Sequence, residues 1–332
     1  MKILMVHAHH ELKSFCSSLN LRAKSELEKN GHEVILSDLY FLKFDPVSDR
    51  RNFKTVKDGT YLKQQQEEMH ASENSGFAQD LDEEMKKLET CDALIFSFPL
   101  WWFGMPAILK GWCDRVLAMG RIYGGGKFYE SGLGESRKRA MLITTTGGGP
   151  NVYDGWGLNP PLESLLQPVQ QGIFWFNGFL PLEPFVAWSP ARMSDQQRSQ
   201  CLDALAIRIN NFFEEDPIQL PLMEDFPNWG PDKKNRYQVV VRRTSPVDDN
   251  YRALVSKEIE KINELKRQGL ITDFQMSAPD DPEWRAFIRM RAVDENAVRK
   301  HLESLPLSAY LNFEITRIVP SNQNVLVAGH GK

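Results

Sequence analysis

Cysteine is scarce in this 332-residue sequence: Cys16, Cys91, Cys113 and Cys201 are the only four, and no two form a Cys-x-x-Cys pair. That spacing excludes a zinc knuckle and a dithiol redox motif, and leaves free thiols in a reducing compartment as the plain reading. Long apolar runs are missing too. None approaches the roughly 18 residues that a membrane span requires. Lys2 is followed by only four apolar residues, Ile3 to Val6, before His7, too short for a signal-peptide core. A cytoplasmic protein with no membrane partner is expected. Charge of one sign is also absent: 40 Lys and Arg stand against 44 Asp and Glu, a net charge of -4, with no electrostatic reason to bind nucleic acid. The short basic cluster Arg137-Lys138-Arg139 reads as the solvated start of a strand. Apolar (42%) and charged (25%) fractions are ordinary for a chain with a real core, and the length exceeds one average domain, so two domains are expected.

Short apolar runs alternate with helical patterns over residues 1–213. Strands are expected at 2–7, 32–37, 93–98, 140–145 and 179–186. Phe15, Leu19, Ala23 and Leu27 recur every four residues on one face of a helix that Asn30-Gly31 ends. Further helices are expected at 106–117, at 162–172, and at 194–213 with Ser194 as N-cap. Five alternations of strand and helix imply an α/β fold, a five-stranded parallel sheet with helices on both faces. Residues 214–235 carry Pro217, Pro221, Pro227 and Pro231 and read as a linker. Residues 236–320 then run β-α-β-β-α-β, with strands at 237–243, 271–276, 284–291 and 311–319, the order of a ferredoxin-like α+β unit. Val239, Val241, Phe287, Phe313 and Ile315 are read as an apolar sheet face turned away from the helices, suited to pairing with a second copy. Residues 321–332 look like a tail.

Parallel sheets bind ligands beyond the carboxyl ends of their strands, which directs attention to three loops. The first, His7-Ala-His-His-Glu-Leu-Lys-Ser14-Phe15, lacks the Gly-x-Gly-x-x-Gly of dinucleotide-binding folds. Its helix start at Ser14 still offers free N–H groups and a positive dipole end to a phosphate. Its three histidines have no acidic or cysteine partners at ligand spacing, so no metal is expected. The second, Phe98 to Gly104, sets three adjacent aromatics at a strand end; either some line a cleft for a planar ring or Trp101 and Trp102 pack under the next helix. The third, Thr144-Thr-Thr-Gly-Gly-Gly-Pro150, lets backbone approach a ligand closely.

The run Pro99-Leu-Trp-Trp-Phe-Gly-Met-Pro-Ala-Ile-Leu-Lys-Gly-Trp-Cys-Asp-Arg-Val116 strongly resembles the signature of the NAD(P)H:quinone oxidoreductases, as do His9 with Ser14-Phe15, Ser37-Asp-Leu-Tyr40, Thr145-Thr-Gly-Gly148 and Gly178-Phe179. The resemblance covers residues 1–213. It implies a flavodoxin-like fold and a homodimer or higher oligomer. It also implies FAD in preference to FMN, and NAD(P)H as co-substrate in two-electron, ping-pong reduction of a quinone-like acceptor. Carried over residue by residue, it places His9, Ser14, Phe15 and Cys16 near the flavin phosphates and Arg198 near the adenosine portion. Pro99, Leu100, Trp101, Trp102 and Phe103 fall along one side of the ring system, Thr145, Thr146, Gly147 and Gly148 along the other. Tyr153 matches the active-site tyrosine, with Gly147 beside it. Trp102, Phe103 and Tyr153 bound the acceptor, and Tyr123 matches a tyrosine contributed by the family's second subunit. Two positions depart: the family's catalytic histidine falls at Asn159, and a second tyrosine from the other subunit at Gly125. Asparagine can donate a hydrogen bond but cannot carry a proton.

The C-terminal part resembles muconolactone isomerase and its small relatives, chiefly in Leu305-Pro-Leu-Ser-Ala-Tyr-Leu-Asn-Phe-Glu-Ile315. Assembly is the plain role for it; Glu258, His301 and Glu314 are possible acid–base groups, with Glu258 and His301 expected on solvated helix faces. The expected function is FAD-dependent quinone reduction. A bifunctional reductase–isomerase of aromatic degradation and an FMN-dependent azo- or nitro-reductase stay open as alternatives.

Overall fold

A computed structural model describes residues 1–226, 233–278 and 280–319. Pro227 and Pro231 of the expected linker and the expected tail lie outside the described residues. The chain divides into two compact units, Met1–Ile218 and Gln219–Lys332, and the division falls inside the segment 214–235.

In the first unit, β1 (Lys2–His7), β2 (Glu33–Asp38), β3 (Ala93–Pro99) and β4 (Arg139–Thr146) pair in parallel in the order β2-β1-β3-β4. β1, β3 and β4 are apolar almost throughout because both faces of the sheet are covered. One face buries Leu4, Val6, Phe96, Phe98 and Leu142 against α2 (Gln64–Glu73), α3 (Gln79–Thr90), α4 (Ala107–Val116) and α5 (Leu162–Val169). The other buries Ile3, Met5, Ile95 and Ile143 against α1 (Phe15–Lys29) and α6 (Asp195–Asn210). Neither α2 nor α3 is anticipated from the sequence.

Two expectations change. The single strand at 179–186 is two short ones, β5 (Leu180–Pro181) on the start of β4 and β6 (Phe185–Trp188) on its end, so the sheet counts six strands. The break has a cause: the carbonyls of Glu183 and Pro184 both accept from the Arg208 guanidinium on α6 and leave the ladder. The helix at 162–172 is regular only to Val169. Pro168 removes a backbone donor there, and the chain widens into a π-helical turn, Gln170–Trp175.

In the second unit, β7 (Asn235–Arg243), α7 (Asp249–Arg267), β8 (Ile271–Met276), β9 (Arg285–Ala292), α8 (Glu295–Glu303) and β10 (Leu311–Ile318) build an antiparallel sheet ordered β10-β7-β9-β8. Val239, Val241, Ile288, Phe313 and Ile315 pack with Leu265, Val298 and Leu302, on the helix-covered face. This corrects the expected apolar outer face. Register puts Phe287 opposite Val240 on the other side, among Gln238, Arg242, Arg289 and Glu314. A one-residue error in phase moves a whole strand to the opposite face. Only Val240 and Phe287 of that set are apolar.

Candidate functional site

The three strand-end loops of the first unit lie together, as parallel strand order requires. Leu100 N–H, just beyond β3, donates to Thr145 O of β4 at 2.9 Å, and Ala8 N–H, just beyond β1, donates to Ser97 O at 2.9 Å.

The first loop ends in a built helix N-terminus. Ser14 Oγ caps α1 by accepting from Ser17 N–H at 3.1 Å, while the Phe15 and Cys16 N–H groups are first-turn donors without an intrahelical acceptor. His9 Nδ1 accepts from Glu11 N–H at 3.0 Å, which fixes the ring with Nε2 as its remaining donor. Partial burial, then the neighbouring His10, lowers the His9 pKa and favours that neutral form. His7 serves the scaffold. It is buried, with Ser97 Oγ at 3.2 Å from Nδ1 and Ser17 Oγ at 3.1 Å from Nε2, and burial lowers its pKa. Burial also pushes the Cys16 thiol up to about 12, so it behaves as a packed thiol.

A cavity of about 550 Å³ opens at this helix start. His9, Ser14, Phe15, Cys16, Thr145 and Arg198 line it, together with Lys13, Ser18, Pro190 and Ala191, which the sequence reading did not single out. Two cations and a helix N-terminus converge on one polar hollow, an arrangement that suits phosphate. Arg198, on α6, is tethered by Asp195 at 2.7 Å.

The aromatic loop folds as a tight reversal. Trp101 and Gly104 exchange backbone hydrogen bonds at 3.1 and 3.0 Å, and Trp102 and Phe103 between them sit at φ 52° and 60°. Two consecutive non-glycine residues there cost roughly 1–2 kcal/mol each. The strain holds large rings outward: Trp102 is 98% exposed. Neither Trp101 nor Trp102 packs under α4. Trp101 lies against His9 and His10, with ring centroids at 5.7 and 5.4 Å, and Trp112 fills the buried position.

In the glycine loop, Thr144 Oγ1 ties β4 to Phe98 O at 2.8 Å and Thr146 Oγ1 donates to Gly148 O at 2.8 Å, so the turn is braced. A side chain at Gly147 would meet nothing within 4 Å, so the backbone there is open to a ligand. Tyr153 stands over this turn, its ring 6.4 Å from Phe103 and 5.9 Å from Trp188. Pro99 closes β3 beside Thr145.

Of the remaining expected site residues, Asn159 belongs by expectation beside Tyr153, and Tyr123 and Gly125 to the site of a second subunit. Asn159 is half-buried, with no hydrogen bond to Tyr153. Tyr123 accepts from Gln65 at 3.1 Å and packs on Phe176, and Gly125 is an exposed turn glycine at φ 62°.

Comparison with known proteins now gives the class. The family model described as "Flavodoxin-like fold" matches residues 1–209, and the chain belongs to that family. Human ribosyldihydronicotinamide dehydrogenase [quinone] is 38% identical over 218 residues, 65% of this chain and 94% of that protein. Rat NAD(P)H dehydrogenase [quinone] 1 is 37% identical over 65% of this chain and 79% of its own length. A solved structure described as a candidate quinone reductase from Klebsiella pneumoniae superposes with a TM-score of 0.64 at 35% identity, covering 67% of this chain and 88% of that one. More particularly, then, the first unit is a flavin oxidoreductase similar to NAD(P)H:quinone oxidoreductases. The family match stops short of the second unit, and muconolactone isomerase does not figure in it.

Among the described residues no helix is long and apolar enough to cross a membrane, and no group of three His, Cys, Asp or Glu could hold a metal ion.

Proposed function

We propose that the chain reduces quinones by two electrons at the expense of NAD(P)H, with FAD as its resident cofactor. The observation that carries this reading is the 550 Å³ hollow at the α1 N-terminus, which Thr145 of the glycine loop helps to line, while Leu100 N–H ties the aromatic loop to Thr145 O. The donor set fits a flavin nucleotide. His9 Nε2–H, Lys13, Arg198 and the Phe15 and Cys16 N–H groups would hold phosphates. Backbone from Pro99 to Phe103 and from Thr145 to Gly148 would flank the ring system. When bound, the flavin supplies hydride acceptance and return, with nicotinamide and quinone using one face in turn.

The chain's own part is orientation and proton handling. Trp102 and Phe103 offer flat apolar walls, open backbone at Gly147 allows close approach, and the Tyr153 hydroxyl donates to a reducing oxygen. Asn159 lacks a proton to give, so Tyr153 with water serves the acceptor in our reading. Arg198, which lines the hollow from α6 and not from the α1 N-terminus, would extend the cationic lining past a phosphate seated on α1, and this supports FAD over FMN.

Exposed Trp102, Trp156 and Leu158 on the site loops support a homodimer or larger oligomer in which they are covered and Tyr123 and Gly125 border the neighbour's site. The order β-α-β-β-α-β with strands ordered β10-β7-β9-β8 supports a ferredoxin-like reading of the second unit, with the muconolactone isomerase resemblance beside it. A cytoplasmic location is part of the proposal, supported by free cysteines that suit a reducing compartment. The division into a flavin domain to residue 213, a linker and a second domain from 236 completes the reading.

The test is to extract and identify the flavin, then run the half-reactions anaerobically. NADH or NADPH alone should bleach the flavin absorbance, and a benzoquinone added after removal of the nicotinamide should restore it. Colourless protein that gains no flavin on reconstitution defeats the reading.

A further inference from the structure

The second unit has a cavity of its own, about 340 Å³, between α7 and the helix-covered face of the sheet. Its helical wall is the stripe Tyr251, Val255, Glu258 and Ile262, spaced by four, three and four residues, and the rings of Phe274 and Trp284 stand on the sheet side. The volume falls within the range of small-molecule sites.

Glu258 sets the chemistry. It is 7% exposed, Oε2 accepts from Leu307 N–H at 2.9 Å, and Oε1 has no hydrogen-bond partner among the described residues. A cavity lined mainly by apolar side chains, with Tyr251, Asn263 and Lys266 as its other polar members, thus presents an acceptor oxygen of a largely buried acid, a group that favours a bound donor. We propose that this cavity binds an uncharged phenol-class molecule of one or two rings, whose hydroxyl donates to Glu258 Oε1 while its rings pack against Phe274 and Trp284. Burial raises the Glu258 pKa against the opposing Leu307 N–H, and a phenol suits the group in either state, donating to the carboxylate or accepting from the acid. A quinone, which has only acceptors, would face the ionised Glu258 oxygen with like polarity. A quinol, the product of the reaction proposed above, is one member of the class, but binding of the class stands independently of the flavin site.

The experiment titrates full-length protein carrying ¹³C-labelled isoleucine methyls with 2-naphthol, and separately with naphthalene. The Ile259 and Ile262 methyls, which line the cavity, should shift and saturate with 2-naphthol, and naphthalene should bind at least about tenfold more weakly, the worth of one buried hydrogen bond. Glu258→Gln, which keeps an acceptor for Leu307, should shrink that gap to about threefold or less. Ala286→Leu, which fills the cavity, should remove both signals. Shifts confined to isoleucines of the first unit, equal affinity for the two probes, or an unchanged gap in Glu258→Gln would each overturn the proposal.

Discussion

The ring of Tyr153 meets the ring of Phe103 edge-on, centroids 6.4 Å apart at 70°. Trp188 flanks the same tyrosine at 5.9 Å, while no hydrogen bond within the described residues occupies the phenol oxygen. The ring is therefore positioned by packing and its hydroxyl is left for an acceptor. Tyr153→Phe keeps both ring contacts and removes only the donor. Steady-state quinone reduction should fall by roughly tenfold or more, with flavin content unchanged. An unaltered rate would make Tyr153 a packing residue.

The left-handed turn at Trp102 and Phe103 predicts a separation of stability from activity. Trp102 is almost wholly exposed, so little packing is lost when it is removed. Trp102→Gly should raise the unfolding free energy of flavin-free protein in urea by about 1 kcal/mol, the relief of one strained residue. Quinone turnover should fall at the same time, because an apolar wall is gone. Destabilisation by this change would show that the turn is not strained.

Gly111 sets two effects of opposite sign against each other. It lies inside α4, where alanine is favoured over glycine by about 1 kcal/mol. A Cβ there, however, would lie 2.3 Å from Pro46 O and 2.5 Å from Pro46 Cα, both backbone atoms. The clash should win. Gly111→Ala should destabilise the protein by about 1–3 kcal/mol, read as a lower thermal midpoint.

Much of this was legible in the sequence, for identifiable reasons. His9, Ser14, Phe15, Cys16 and Thr145 line one hollow because parallel strands put the loops after β1 and β4 on the same edge of the sheet, and Arg198 joins them from the first turns of α6. Lys13 escaped notice because a lysine between a leucine and an N-cap serine carries no pattern of its own. The turn at 102–103 was illegible because tryptophan and phenylalanine are not the residues such turns select. Glu258 was read as solvated because a glutamate on a Glu- and Lys-rich helix usually is. Its burial depends on the Leu305–Leu307 segment folding over α7, a contact 49 residues away in sequence. Strand phase in the second unit failed for a similar reason: alternation shows that two faces differ and leaves open which one the helices cover.

His7 predicts a pH dependence of stability. Burial depresses its folded-state pKa below the ordinary value of about 6.5, so between those two values the unfolded chain binds more protons than the folded one. Stability from this group is complete above about pH 6.5 and is lost as pH falls towards the folded pKa. His7→Gln should flatten the stability–pH curve in that window relative to wild type. It should also cost about 1–3 kcal/mol at pH 7.5, because Ser17 and Ser97 lose well-placed partners. His9 and His32 also have lowered pKa values, so the difference between the two curves, rather than either slope alone, reports on His7.

Arg198 and Lys13 together provide a test of the proposed preference for a dinucleotide over a mononucleotide. Both line the hollow at the start of α1, but they stand on different elements: Lys13 immediately precedes the Ser14 N-cap, and Arg198 belongs to the first turns of α6. In the proposed reading a phosphate seated on the Phe15 and Cys16 N–H groups would be common to FMN and FAD, and Lys13 would serve it in either case. Loss of Lys13 should therefore weaken both cofactors by a similar factor. In the same reading Arg198 would serve chiefly a ligand that continues past that phosphate. Arg198→Ala should reduce FAD affinity by about tenfold, the worth of a charge-assisted hydrogen bond, and leave FMN affinity within about twofold. Asp195, which tethers the guanidinium at 2.7 Å, provides a control. Asp195→Asn frees Arg198 without removing it and should change FAD affinity far less than Arg198→Ala. Fluorescence titration of flavin-free protein with each nucleotide gives all the constants. Equal losses for FMN and FAD on Arg198→Ala would place Arg198 at the shared phosphate and withdraw the proposed preference for FAD.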